Sequence, residues 1–168
     1  LGFPNREVRE SFNRMILSIL GPDTPNISVP AYRTILESGD TEGLRTRIQA
    51  LFASIPHDWY RKNPISQYEG YYASVFYAWL SSLGFTVIPE DVTNKGRIDL
   101  SVQTGLITWI FEFKVLGIDR SGERNPLDQI KKRGYAEKYL AKSKQVILVG
   151  IVWNPKTRNI EQWEVATE

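Results

Sequence analysis

Cysteine is absent from this chain, and histidine occurs once, at His57. Without cysteine there is no disulfide scaffold, no thiolate zinc site and no thiol nucleophile. A single histidine excludes a multi-histidine metal site and leaves one imidazole for any serine triad. No serine motif accompanies His57, which reads as structural or exposed. No apolar run approaches the length of a membrane span. No signal-peptide pattern opens the chain, so the expected location is cytoplasmic. No internal repeat or low-complexity segment is present. What remains for catalysis is carboxylates, lysine and hard metal ions. The 168 residues, 42% hydrophobic and 24% charged, have the composition of an ordinary soluble globular domain. The length suits one domain, or one domain with a helical extension.

The formal charge of +2 conceals a strong asymmetry. Residues 1–60 and residues 61–113 each carry a net −1, residues 114–158 carry +7, and the last ten residues carry −3. A basic segment of this kind can be a footprint for a polyanion. On charge alone the plainer reading is a solvated, lysine-rich helix face.

The spacing of apolar residues predicts a helix from Asn5 to about Leu20, stopped by Gly21-Pro22. A short helix near Ala31–Glu37 follows a proline-punctuated loop. Asp40 then caps another helix, with Leu44, Ile48, Leu51 and Phe52 on its apolar face. Residues 65–83 read as a long aromatic helix ending at Gly84. It is apolar well round its circumference, as a helix packed on a sheet would be. Strands are expected at about Thr86–Glu90, Arg97–Val102 and Leu106–Val115, with turns at 94–96 and 103–105. Asn125-Pro126 opens a helix expected to run to about Ala141. Gln145–Trp153 reads as a buried central strand, and Ile160–Val165 as a closing edge strand after the turn at 154–159.

The third strand carries the chemistry. Side chains alternate along a strand, so Ile107, Trp109, Phe111, Phe113 and Val115 share one face, and Ile110, Glu112 and Lys114 the other. Charge placed beside a core is costly unless it is paired or metal-bound. Glu112 and Lys114 therefore read either as a structural ion pair or as part of a site. A short hairpin brings Asp99, on the preceding strand, beside them. Two close carboxylates raise each other's pKa unless a cation joins them, and an all-oxygen ligand set suits Mg²⁺ or Mn²⁺. Lys114, a compact positive charge, could then orient a water or stabilise a developing oxyanion.

These residues resemble a known family. Gly96-Arg97-Ile98-Asp99, followed thirteen residues on by Glu112-Phe113-Lys114, is similar to the signature of the PD-(D/E)XK nuclease superfamily. The nearest likeness is to the nuclease-like domain at the C-terminal end of bacterial and archaeal AAA-ATPase-like proteins. It extends to Leu1-Gly2-Phe3-Pro4-Asn5-Arg6-Glu7-Val8-Arg9, Tyr71-Tyr72, Gln129-Ile130, Gly134-Tyr135-Ala136-Glu137-Lys138-Tyr139 and Thr157-Arg158-Asn159-Ile160. Ile98 stands where the motif's name has proline, a position that varies across the superfamily.

The resemblance implies an α/β fold with a restriction-endonuclease-like core: helix, three strands, helix, two strands, in a mixed central sheet. Residues 1–62 would form a helical extension and 63–168 the nuclease-like domain, the whole being the end of a longer protein. Asp99 and Glu112 match the metal-ligand acids, Lys114 the catalytic lysine, and the Phe113 carbonyl a backbone metal ligand. Glu69 matches an acid that some members aim at the metal, and otherwise reads as a solvent-facing helix glutamate. Gln129 matches a helix glutamine near the site, and otherwise reads as an ordinary polar residue. The implied activity is Mg²⁺- or Mn²⁺-dependent hydrolysis of DNA phosphodiester bonds by a metal-activated water.

The basic segment then supplies phosphate contacts, which position a strand without reading its sequence. The candidates are Lys131, Lys132 and Arg133 on the helix, with Arg97, which could instead pair with a nearby acid. Lys138 and Lys142 decorate the same stretch, and Arg120, Arg124, Lys144, Lys156 and Arg158 flank it. Trp59 and Tyr60 read as packing between helices, with base stacking as the alternative. Two rival functions stand beside the nuclease. One is a nuclease-fold nucleic-acid-binding module with little activity without its ATPase-like portion. The other is a protein-interaction domain serving that portion.

Overall fold

The structure, a computed structural model, describes residues 29–55, 67–117 and 125–168. The helix expected over 5–20 and the residues His57, Trp59, Tyr60, Arg120 and Arg124 lie outside them. Helix α1 spans Val29–Ser38 and α2 spans Thr41–Ser54. Between them Asp40 accepts the Gly43 N–H at 2.9 Å, satisfying an otherwise unpaired donor of the first turn. The aromatic helix α3 spans Glu69–Ser82, a few residues shorter than the pattern predicts.

Strands β1 (Thr86–Thr93), β2 (Gly96–Thr104) and β3 (Ile107–Val115) form an antiparallel meander. The second turn therefore falls at 105–106 rather than 103–105, because Gln103 and Thr104 pair with Thr108 and Ile107. Helices α4 (Pro126–Arg133) and α5 (Glu137–Leu140) lead to β4 (Gln145–Asn154), which runs parallel to β3, and β5 (Asn159–Thr167) pairs antiparallel at the far edge. The five strands lie in chain order, so the one parallel step is between β3 and β4. This is the mixed α/β sheet that the resemblance implies, and its helices cover both faces. No helix among the described residues is long and apolar enough to cross a membrane.

One expectation fails. The helix from 126 does not continue to 141. Gly134 adopts φ 61° and caps α4 in the left-handed conformation, where a side chain is disfavoured. The chain turns there and restarts as the single-turn α5.

The two faces of the sheet bury different cores. Helices α1–α3 cover an aromatic layer containing Phe52, Tyr72, Phe76, Trp109, Phe111 and Trp153. Tyr72 stacks on Trp153 with centroids 4.6 Å apart and planes 10° from parallel. Each such side chain contributes roughly 1.5–3 kcal/mol by leaving water. Helices α4 and α5 cover a smaller layer of Ile98, Ile110, Leu127, Ile130, Tyr139 and Leu148. Every residue of β3 is consequently buried, Glu112 and Lys114 included.

A second buried acid sits under α5. Asp91 accepts from Ser101 Oγ at 2.8 Å, and from Tyr139 Oη and Lys138 Nζ. Burial alone would raise its pKa, but these bonds outweigh it and hold the carboxyl below its usual range. A depressed folded-state pKa contributes stability that is complete above the unfolded value near 3.8 and is lost as pH falls through the folded value. Asp91→Asn should therefore be less stable at pH 7 by ~2–3 kcal/mol. The gap should close as urea midpoints are followed down from about pH 4.

Candidate active site

The β2–β3 ladder ends at Leu100 opposite Phe111, although both strands continue past it. The next residues inward on β2 and outward on β3 are Asp99 and Glu112. Where the backbone ladder stops, the Asp99 carboxylate takes over, and Phe113 N–H donates to Asp99 Oδ2 at 2.8 Å. The N–H and C=O of one strand residue leave on the same edge. The Phe113 carbonyl thus faces the same opening between the strands.

Glu112 is enclosed from the other side by α4. Asn125 caps that helix, accepting from Leu127 N at 2.9 Å and Asp128 N at 3.1 Å. Gln129, one turn on, donates from Nε2 to Glu112 Oε1. Glu112 Oε2 is buried with no hydrogen-bond partner. A buried acceptor without a donor is costly, and here it belongs to one of two adjacent acids.

The electrostatics follow from this enclosure. Burial, then the Asp99 carboxylate, push the Glu112 pKa up to about 8, against the pull of Lys114. Burial also raises Asp99, opposed by the Phe113 N–H and by Lys114. Both acids hold a proton more tightly than free carboxyls until a cation replaces it. Lys114 is mostly buried and lies 4.0 Å from Glu69 Oε1, in the first turn of α3.

The donors fit a hard divalent ion. Asp99, the unsatisfied Glu112 Oε2 and the Phe113 carbonyl are all oxygens. Among the described residues no group of three or more His, Cys, Asp or Glu meets as a ready-made cage. Asp99, Glu112 and a backbone oxygen thus lie together, with Glu69 beside the lysine and its charge adding to the rise at Glu112.

Asp99, Glu112, Phe113, Lys114, Glu69 and Gln129 are therefore brought together. The nucleic-acid candidates are placed differently. Arg97 is exposed and pairs with Glu90. Lys131, Lys132 and Arg133 form the exposed last turn of α4, where Arg133 Nη1 donates to Lys95 O at 3.4 Å. That turn lies ~3–6 Å further along the helix axis than Gln129. Lys138 is occupied by Asp91.

Two contributors have no counterpart in the motif. Glu90 adopts φ 52°, uncommon for a side-chain-bearing residue, in the β1 segment facing Asp99, and its charge adds to the rise in the Asp99 pKa. Gly150 pairs in register with Glu112. A Cβ there would lie 2.5 Å from the Leu127 backbone nitrogen. This bare position lets α4 approach the strand closely enough for Gln129 to reach Glu112. A glycine inside an otherwise apolar strand is the signal that could have revealed it. Gly150→Ala should displace α4 and lower the urea-derived stability by ~1–3 kcal/mol.

A family model described as the PD-(D/E)XK nuclease superfamily matches residues 67–163. A curated relative from Azotobacter chroococcum mcd 1, named "Uncharacterized protein in vnfD 5'region", is 41% identical over 162 residues. The aligned region is 95% of this chain and 31% of that protein, so the chain spans about a third of the relative's length. No solved structure matches the chain.

Proposed function

The chain belongs to the PD-(D/E)XK nuclease superfamily, and from that premise we propose that it is a divalent-metal-dependent nuclease hydrolysing DNA phosphodiester bonds. The observation that carries this reading is the unsatisfied, buried Glu112 Oε2 beside Asp99, with Lys114 two residues along the same strand face. An acid pair in this condition favours a cation, whereas a structural pair would have its oxygens satisfied.

Asp99, Glu112 and the Phe113 carbonyl would hold Mg²⁺ or Mn²⁺. The ion, when bound, lowers the pKa of a water and offsets charge on the phosphoryl group. Gln129 fixes one Glu112 oxygen so that the other points into the site. Lys114 stabilises the charge that develops on the phosphate oxygens. Glu69 steadies the lysine from α3. Lys131, Lys132 and Arg133 meet backbone phosphates without reading sequence. An ATPase-like portion of a longer parent protein is the proposed partner.

Incubating the protein with plasmid, linear and branched DNA, plus RNA, in Mg²⁺ or Mn²⁺ tests the reading. Metal-dependent cleavage of DNA is the expected result. No cleavage of any substrate with either metal overturns it. Salt-dependent binding without cleavage would favour a binding module instead.

A further inference from the structure

We propose, resting on the nuclease reading above, that the α4–α5 elbow sets the separation of Asp99 and Glu112, and that Tyr135 is its positioning residue. The β2–β3 ladder ends at Leu100 and Phe111. Beyond it, the Phe113 N–H is the backbone group of β3 that reaches Asp99. The β1–β2 ladder also skips one pair, Glu90 with Asp99, and resumes at Asp91 with Ile98. Side chains two apart on a strand ordinarily share a face. Here Leu100 and Val102 enter the aromatic layer, whereas Ile98 enters the layer under α4 and α5. The hairpin therefore rolls over at Glu90 and Asp99, and its tip turns toward the elbow.

The elbow grips that tip. Gly134 N–H donates to Lys131 O at 3.0 Å and Tyr135 N–H to Ile130 O at 3.3 Å, the paired bonds that close a helix on a left-handed glycine. The turn delivers Tyr135 to the hairpin, where its buried ring joins the layer of Ile98 and Ile130. Its hydroxyl donates to the Arg97 carbonyl at 3.0 Å, two residues before Asp99. A Cβ on Gly96 would stand 2.9 Å from that hydroxyl oxygen, so the bare backbone is what admits it. On the other strand, Lys138 Nζ donates to Asp91 and, at 3.0 Å, to Val92 O. Lys95, in the turn, pairs with Glu137.

The same elbow holds the other acid. Gln129, on α4, donates to Glu112, and six residues later Tyr135 bonds the segment that carries Asp99. Each acid is thus tied to one continuous piece of chain, whose α4 is seated against Gly150 of the neighbouring strand. Burial and the charge of Glu112 raise the Tyr135 pKa, so the phenol keeps the proton it donates. A small divalent ion needs its oxygens within about 0.5 Å of their places. Loosening the hairpin tip should therefore weaken the ion's hold. Tyr135 acts through the Arg97 carbonyl, not on the metal.

Mn²⁺ titrations of the DNA-free protein, followed by the paramagnetic resonance signal of free Mn²⁺, test the elbow. Tyr135→Phe, which loses only the hydroxyl, should raise the Mn²⁺ Kd about three- to tenfold, below the roughly 10–100-fold cost of a group bonded directly to a ligand. Lys138→Met cuts the tie to Asp91 and Val92 and should shift Kd the same way. Thr108→Val removes a hydroxyl bonded to Ser143 at 2.7 Å, four residues before Glu112 on β3, and should keep the parental Kd whatever its Tm. With plasmid DNA, the rate lost by Tyr135→Phe at limiting Mn²⁺ should return at saturating Mn²⁺, with KM for DNA unchanged. Tyr135→Phe decides where it folds, and Lys138→Met where it does not. A parental Kd in the deciding variant, with a parent that binds, overturns the elbow and leaves the nuclease reading standing. An equal loss in Thr108→Val does the same. Weakened variants of a parent that binds but never cleaves support the elbow and overturn the nuclease reading. A parent that takes up no Mn²⁺ at millimolar concentration overturns both.

Discussion

Lys114→Ala lowers the rate of phosphodiester cleavage by about 10²–10³-fold, the usual cost of removing a preorganised charge from a developing oxyanion. The expected loss is in kcat rather than KM, because Lys114 is buried on β3, whereas the exposed basic residues of α4 are the ones proposed to meet ground-state phosphates. Lys114→Arg should not restore the rate. The ammonium is a compact point charge, and a planar guanidinium in the same enclosed space aims its donors elsewhere. Thermal stability should fall as well, because the lysine's charge opposes the raised pKa of the buried Asp99 and Glu112, so rates are compared below the melting temperature of the variant. Single-turnover kinetics under saturating DNA measure the effect. A variant that cleaves at the parental rate would remove Lys114 from the mechanism.

Glu112→Gln is expected to stabilise the metal-free protein while abolishing its response to metal. The new amide oxygen still accepts from Gln129, and its NH₂ replaces the buried oxygen that has no donor. The charge repulsion with Asp99 disappears, and stability at pH 8 should rise by ~1–2 kcal/mol. The sign of the pH dependence separates this from a packing effect. A raised folded-state pKa means the native state binds the extra proton. Its contribution in the parent is complete below the unfolded value of 4.5 and lost as pH rises through about 8. The metal-free parent should thus weaken over that window, and the variant should be flatter. Saturating Mn²⁺, at about a hundred times its Kd, should add ~2.7 kcal/mol to the parent. For a chain of this length that is a rise of roughly 5–11 °C in Tm. Thermal melts with and without Mn²⁺ check both halves, and an equal Mn²⁺ shift in the variant would defeat the assignment of Glu112 as a ligand.

The acid pair and the lysine were readable because they come from one hairpin. Period-two alternation and a short hairpin suffice to bring Asp99 beside Glu112, and the Phe113 N–H bond to Asp99, one residue past Glu112, agrees with it. Asp40, Asn125 and Pro126 act within a few residues of themselves, so their helix starts were equally readable. What escaped depends on contacts between distant segments or on backbone conformation. Nothing local says that Lys138 is neutralised by Asp91, 47 residues away, rather than exposed for phosphate. Nothing local says that Gly150 is bare because Leu127 presses on it. Gly134 was in plain view, but amphipathic spacing continues through it, and only its left-handed φ ends the helix. Arg158 looked like one more cation in a basic stretch, and its left-handed φ of 56° is invisible without the backbone.

The parallel pairing of β3 with β4 also orders events in time. Asp99, Glu112 and Lys114 can meet as soon as a local hairpin closes, on the microsecond scale of such loops. At that stage their charges face water, and the repulsion between the acids is screened. Gln129 and Gly150 belong to segments that join only after a crossover has been closed, and non-local parallel contacts form late. Glu112 becomes dry, with its pKa raised by that burial, only when α4 settles on the finished β3–β4 pair. The three side chains thus come together early, and the burial that sets the pKa of Glu112 comes last.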